Sequence, residues 1–387
     1  MNNIAFFIID YSTTGGVARV NASLLQLFSQ HGMVANHLFT LRSALAIPEL
    51  AFPPNINVTV LNKLGSEAEL AQTLATLLTQ YQISTLLYQG DNMTIALHVQ
   101  QACALAGCKG ILHYHGSPFG YLKKYIYVTD LAQNPLVVLK LVWSIMQYPF
   151  KKLKLKKVVA QATDGFVCVS HGVERELRLL YKNNPRLLRG ICTIPNPVAF
   201  SAALQSNAAK ENKVVYISRL ERKHKNSMMV VRVWKLLGKE FPHWQLQILG
   251  DGILMNVMKK YCSDNDLPNV QFWGMTSRVA EVLTTSSISM LTSDCEGLGM
   301  GLVESAAYRN ALVTTAADGG VTDIVENNYS GFVTARNNDA AMAAGLSKLM
   351  QSAELRETFG NNAAEKLIQM QDDTVAEAWK QLFKTGF

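Results

Sequence analysis

Residues 4–17 read IAFFIIDYSTTGGV: an apolar run closed by Asp10, a polar loop, the pair Gly15-Gly16, and then the start of a helical period. A short strand that empties through glycines into a helix is the entry to an α/β domain. The same alternation continues along the chain. Further short apolar runs lie at Asn36 to Leu41, Val58 to Leu61, Thr85 to Tyr88, Gly110 to Tyr114, Gly165 to Val169 and Ile191 to Ile194, with amphipathic stretches filling most of the gaps. Asn196-Pro197 and the polar segment Gln205 to Asn212 then interrupt the pattern, as a domain linker does. A second series follows at Val214 to Ser218, Gln245 to Leu249, Val270 to Trp273, Ile288 to Leu291 and Leu312 to Thr315. The expectation is an α/β protein of two Rossmann-like doubly wound domains facing a central cleft, with ligands at the carboxyl ends of the strands. The expected divisions are residues 1–195, 196–370 and a C-terminal helix at 371–387. In that helix Val375, Ala378, Trp379, Leu382 and Phe383 recur at helical spacing and need an apolar surface to cover.

Composition agrees with two domains and excludes several classes. The chain has 387 residues, 49% of them hydrophobic and 17% charged, which suits large buried cores and argues against a disordered or coiled-coil chain. Its six cysteines are scattered without Cys-x-x-Cys or Cys/His spacing, so a disulfide framework and a zinc site are not expected. The N-terminus lacks a basic region ahead of its apolar run, so no signal peptide is expected. The most apolar later stretch, Leu136 to Met146, contains Lys140 and falls short of the about 20 residues that span a bilayer.

Charge is uneven. Residues 1–195 hold 17 Lys and Arg against 9 Asp and Glu, whereas residues 196–387 hold 19 against 20. The excess centres on Lys151, Lys152, Lys154, Lys156 and Lys157, beside Val142, Trp143, Ile145 and Met146. An anionic membrane surface is one expected partner, and a solvated helix face is the bland reading of the same charge. Nucleic acid is not expected, because no aromatic-interleaved basic strand accompanies the charge.

Three loops carry the chemistry. Gly15 and Gly16 let a backbone approach a ligand closely at a helix start, which favours an anion such as a diphosphate. Arg219 and the segment Glu221 to Asn226 (ERKHKN) follow the first strand of the second series, where an Arg fork and a Lys charge suit a diphosphate leaving group. Residues 294–304 read DCEGLGMGLVE, so Gly297, Gly299 and Gly301 lie between Glu296 and Glu304 at a strand-to-helix turn. Main-chain amides there can hold an anion while the two carboxylates accept from hydroxyls.

Taken in order, these features resemble nucleotide-sugar glycosyltransferases of family 4, which have the GT-B fold. The resemblance runs through Gly15-Gly16-Val17-Ala18-Arg19, His115-Gly116, Val169-Ser170, Ile194-Pro195-Asn196-Pro197-Val198, Arg219-Leu220 with Lys225, Gly250-Asp251-Gly252, Glu296 with Glu304, and Gly319-Gly320. It implies retaining transfer of a sugar from a nucleotide diphosphate sugar, UDP-sugar by default and GDP-sugar as the second choice, with no cofactor and no metal. The implied acceptor is a hydroxyl of a lipid-linked or cell-surface glycan, reached from the cytoplasmic side or the inner membrane face. Arg219 and Lys225 would hold the diphosphate, assisted by Gly16 and the amides of Gly299, Met300 and Gly301. Glu304 would bind the ribose, Glu296 and His115 the donor sugar, and Trp273, Gly274 and Met275 would line the base. The C-terminal helix would close on the N-terminal domain. Many relatives place the lysine where this chain has His224, which leaves Lys223 as the substitute for Lys225. An NAD-dependent oxidoreductase would need a GxGxxG and an acid about 20 residues on, which neither half supplies. An epimerase of the same fold and a non-catalytic basic scaffold that binds membrane stay open as competing functions.

Overall fold

The computed structural model describes residues 3–10, 16–42, 53, 55–61, 67–123, 135–162, 164–198 and 209–386. The expected ligand residue Gly15 and most of the expected linker lie outside them.

Seven parallel strands form the first sheet: Ile4–Asp10 (β1), Ala35–Arg42 (β2), Asn57–Val60 (β3), Thr85–Gly90 (β4), Lys109–Tyr114 (β5), Phe166–Cys168 (β6) and Ile191–Thr193 (β7). Their spatial order is β3-β2-β1-β4-β5-β6-β7. The order reverses between β1 and β4, the switch point at which open α/β sheets bind ligands. Helices in this half are Gly16–Gln30 (α1), Glu67–Gln80 (α2), Met93–Ala106 (α3), Pro118–Leu122 (α4), Pro135–Gln161 (α5) and His171–Leu180 (α6). Local signals fix their ends. Asn92 caps α3 by accepting from the amides of Thr94 and Ile95, and Gly107 ends it in the left-handed conformation. Ser170, the serine of the Val169-Ser170 pair, caps α6 by accepting from Val173 N.

The second sheet is built the same way from Glu211–Ile217 (β8), Gln245–Leu249 (β9), Val270–Gly274 (β10), Ser286–Leu291 (β11), Ala311–Thr315 (β13) and Gly331–Thr334 (β15), in the order β10-β9-β8-β11-β13-β15. A separate two-stranded pair joins Cys295–Glu296 (β12) to Asp318–Gly319 (β14). The helices are Met228–Leu237 (α7), Met255–Asp264 (α8), Val279–Thr285 (α9), Met300–Ala307 (α10), Val321–Ile324 (α11), Asp339–Gln351 (α12), Ala353–Glu365 (α13) and Asp372–Thr385 (α14). Sequence reading finds neither β15 nor the β12–β14 pair. Gly331–Thr334 offers only two apolar residues, Phe332 and Val333, and a two-residue pairing has no period to detect.

The chain divides into two compact units. One comprises residues 1–118, 149–197 and 370–387; the other comprises 119–148 and 198–369. The first unit is therefore discontinuous, and it includes α14. Trp379 of α14 is fully buried, with its ring centroid 5.8 Å from Phe28 of α1 and 5.2 Å from His113 of β5. Burying rings of this size contributes about 2–3 kcal/mol each, which holds the last helix to the first unit. In the second unit Trp234 of α7 sits at the centre of a core with Tyr216, Leu246, Ile248 and Leu346, and its indole N–H donates to Pro268 O at 2.8 Å. All six cysteines are free thiols, and four of them, Cys103, Cys168, Cys262 and Cys295, are buried.

Gly250, between β9 and α8, has φ +118°, and a Cβ there would lie 2.0 Å from Ser218 O. Only glycine lets the two strand exits approach this closely. Gly250→Ala is therefore expected to destabilise the protein by about 2 kcal/mol or more, read as a lowered denaturant midpoint. An unchanged midpoint would contradict this account of the loop.

Candidate donor site

In the second unit three strand exits converge on Lys225. After β8 the chain runs through Arg219 and Glu221 into a tight turn in which Lys225 N donates to Lys223 O at 2.7 Å. His224 and Asn226, on either side of Lys225, both have left-handed φ values, +63° and +46°. Non-glycine residues adopt that conformation at a cost, so surrounding bonds must hold the turn. Thr292 Oγ1 donates to Lys225 O at 2.9 Å, and Asp294 N donates to His224 O at 2.7 Å. Both partners lie just beyond β11, so the turn is stapled to the neighbouring strand.

The turn aims the lysine at Glu296. Lys225 Nζ donates to both carboxylate oxygens at 2.7 and 2.8 Å, and Ser293 Oγ adds a third hydrogen bond at 2.6 Å. The side chains are 22% and 9% exposed, so this is a largely buried pair. Burial draws the Lys225 pKa down, but the charge of Glu296 and its hydrogen bonds outweigh that, and the value ends above the ordinary lysine range. Lys225 is therefore a fixed cation. The β12–β14 pairing secures the other side, with Cys295 and Glu296 in register with Asp318 and Gly319, so the acidic loop and the Gly319-Gly320 loop are one construction. His224 Nδ1 lies 2.9 Å from Cys295 Sγ. Burial, with the charge of Glu296 second, pushes the Cys295 thiol up and keeps it protonated.

Beyond Glu296 the chain passes Gly299, in the left-handed conformation at φ +86°, into α10. A Cβ on Gly301 would meet Ile217 O at 2.9 Å, so glycine there lets the first turn of α10 sit against the exit of β8. Met300 and Glu304, one turn apart, share a helix face. Arg219 is 68% exposed on its side chain and paired with Glu221 at 3.0 Å, a weak surface contact that an anion can replace. Trp273, at the end of β10, donates its indole N–H to Gln247 Oε1 at 2.6 Å and carries the Arg278 guanidinium 5.1 Å from its ring centroid. The adjoining Gly274 is half-buried and Met275 is exposed.

The structure thus joins Lys225 directly to Glu296 and places Arg219, Gly299, Met300, Gly301 and Glu304 on adjoining strand exits and the helix start. Lys223, the substitute candidate, has an exposed side chain. Trp273, Gly274 and Met275 lie at the exit of the sheet's edge strand. Gly16 and His115 belong to the first unit, Gly16 at the start of α1 and His115 just past β5. His115 Nε2 lies 2.6 Å from Gln89 Oε1, and burial pushes the His115 pKa down to about 3, so the ring is neutral at physiological pH. Sequence reasoning misses Gln89 and Ser293. The available signal is a polar side chain at the carboxyl end of an apolar strand, as in TLLYQG of β4.

The chain is similar to several known proteins. Residues 202–366 match the family described as Glycosyl transferases group 1. A Haemophilus influenzae protein described as an uncharacterized glycosyltransferase is 24% identical over 98% of this chain and 99% of its own length. A Campylobacter jejuni α-1,4-N-acetyl-D-galactosaminyltransferase, acting on an undecaprenol-linked glycan by its name, is 24% identical over 51% of this chain and 55% of its own. Among solved structures, Anabaena HepE in complex with UDP and glucose superposes with a TM-score of 0.73 at 14% identity, covering 100% of both chains. The fold is therefore GT-B. The sequence matches add a likeness to glycosyltransferases, over residues 202–366 for the family and over nearly the whole chain for the Haemophilus protein.

Asp294, in the same loop, is 3% exposed, and its Oδ1 has no hydrogen-bond partner among the described residues. Burial raises its pKa to about 6, against the opposing charge of Arg336 and with the charge of Asp318 adding to the rise. A carboxyl that holds its proton more tightly folded than unfolded weakens the fold as it ionises between pH about 4 and 6, here by roughly 1–3 kcal/mol. Asp294→Asn should therefore raise the melting temperature at pH 7.5 and leave it unchanged near pH 4. A lower melting temperature at pH 7.5 would contradict this.

Proposed function

We propose that this chain is a retaining, metal-independent glycosyltransferase of family 4, transferring a sugar from a nucleotide diphosphate sugar, UDP-sugar by default, to a hydroxyl of a lipid-linked or cell-surface glycan. The observation that carries the reading is the buried Lys225–Glu296 pair beside Arg219 and the start of α10. A diphosphate needs fixed positive charge and directed amides, and here a lysine that stays protonated, a weakly held guanidinium and a helix N-terminus lie at neighbouring strand exits. In this reading Arg219 exchanges Glu221 for phosphate, Lys225 neutralises the leaving diphosphate, and Glu296 accepts from donor-sugar hydroxyls. Glu304 binds the ribose diol, and Trp273, Gly274 and Met275 border the base. The departing phosphate oxygen takes the proton of the incoming hydroxyl, so no separate nucleophile is required. His115 acts as a neutral hydrogen-bonding group toward the sugar. The UDP and glucose bound by HepE and the glycan substrate in the Campylobacter enzyme's name support the choice of donor and acceptor class.

A thermal-shift panel of UDP, GDP, ADP and NAD tests the donor. UDP at 100 times its dissociation constant should add about 2.7 kcal/mol of stability. Arg219→Ala and Glu304→Gln should each lose that shift and abolish transfer while melting like the parent protein. Stabilisation by NAD alone would refute the reading.

The acceptor class favours a membrane face, and α5 supplies a means of reaching one. Trp143, Phe150 and Leu153 on this helix are 58%, 75% and 65% exposed, among Lys152, Lys156 and Lys157. No helix of the described residues is long and apolar enough to cross a membrane. An exposed apolar stripe with flanking lysines suits peripheral docking on anionic lipid, each lysine adding about 1 kcal/mol. Cosedimentation with vesicles of one-third phosphatidylglycerol should retain the protein, and the double variant Phe150→Ser, Leu153→Ser should weaken retention about tenfold or more. Equal retention on purely zwitterionic vesicles would contradict the electrostatic part of the account.

A further inference from the structure

Gln89 ends β4 next to the switch point, in register with His113 of β5, and His115 follows two residues on. The Gln89 side-chain amide lies between the two rings. Its atom assigned as Oε1 is 2.9 Å from His113 Nδ1 and 2.6 Å from His115 Nε2. The other face of His113 is fixed by Ile194 O, 3.3 Å from Nε2.

With oxygen at the shared corner, both rings must donate to it. His113 then carries its proton on Nδ1 and turns a bare Nε2 toward a carbonyl oxygen, two acceptors face to face. Protonating His113 on both nitrogens would relieve the clash, but its burial holds the ring neutral. The same assignment leaves Gln89 Nε2 buried without a partner among the described residues. Amide oxygen and nitrogen are nearly isosteric, and which is which is decided by the hydrogen bonds each can make. With nitrogen at the shared corner, the two amide hydrogens donate one to each ring. His113 Nε2–H then donates to Ile194 O, and the unpartnered atom becomes a carbonyl oxygen, which buried sites tolerate better than an N–H.

We infer that Gln89 is a positioning residue that donates to both histidines and holds His115 as the Nδ1–H tautomer, so that His115 presents a hydrogen-bond donor rather than a base. This rests on His115 acting in the reaction, as in the function proposed above. A donor suits a sugar hydroxyl or ring oxygen as an acceptor, and it leaves proton removal to the phosphate. Gln89 makes no substrate contact in this scheme.

Long-range 1H–15N spectra of the whole chain labelled at its histidines test the assignment without reference to activity. His115 is expected with its proton on Nδ1 and His113 on Nε2, two opposite tautomers in one cluster. A proton on Nε2 of His115 would overturn the inference. Gln89→Met, close in volume and unable to donate, should release His115 into a tautomer mixture and lower kcat about tenfold, the worth of one hydrogen bond, with donor KM changed less than twofold. Unchanged kcat alongside a lost tautomer would also overturn it. His115→Ala separates the two readings: full turnover in that variant removes His115 from the proposed reaction, whereas the parent spectrum judges the tautomer alone.

Discussion

The second unit depends on one electrostatic constraint: a lysine ammonium and a glutamate carboxylate held against each other with little water. An isolated charge in that position would lose several kcal/mol of hydration. Lys225 and Glu296 meet through two hydrogen bonds, with Ser293 completing the carboxylate. Each is delivered by a costly piece of backbone: the left-handed residues His224 and Asn226 on one side, the short β12–β14 pairing on the other. Removing either charge would leave the other buried and uncompensated. The loops therefore behave as one unit and maintain a fixed cation, which the proposed function sets against the donor's leaving group.

Around that pair the charges differ in how firmly they are held. Arg219 is solvent-exposed and bound only weakly to Glu221, so it can reorganise around a ligand at small cost. Asp294 lies deeper, with a buried oxygen that has no partner among the described residues and a raised pKa. Strained turns, an exposed guanidinium and a disfavoured carboxyl lie within one cluster of loops, while the strands beneath are largely apolar. Such clustering of unfavourable local choices is what the proposed function would require of its site.

Much of this was legible from the sequence, for identifiable reasons. Parallel strands buried on both faces read as continuous apolar runs, so β1, β4 and β13 stand out within a residue or two of their ends. Asp294 to Glu304 is legible as a strand–glycine–helix turn because glycines and acids there interrupt an apolar background. Gly331–Thr334 is not, since Phe332 and Val333 are its only apolar residues. Gln89 is hidden for a different reason: a single polar residue near a strand end acquires meaning only from the neighbouring strand that faces it, as Ser293 does only from the loop that turns Glu296 back onto it. Nor does charge counting show that the lysines of α5 share a helix with exposed Phe150 and Leu153, because exposure is a property of packing.

The central claim is that Lys225 pairs with the leaving diphosphate of a nucleotide sugar. Calorimetric titration of UDP and of uridine against the parent protein and Lys225→Met tests it most directly. The account requires UDP to bind the parent far more tightly than uridine, and that advantage to collapse in the variant while uridine affinity stays the same. An undiminished advantage of UDP in Lys225→Met would contradict it.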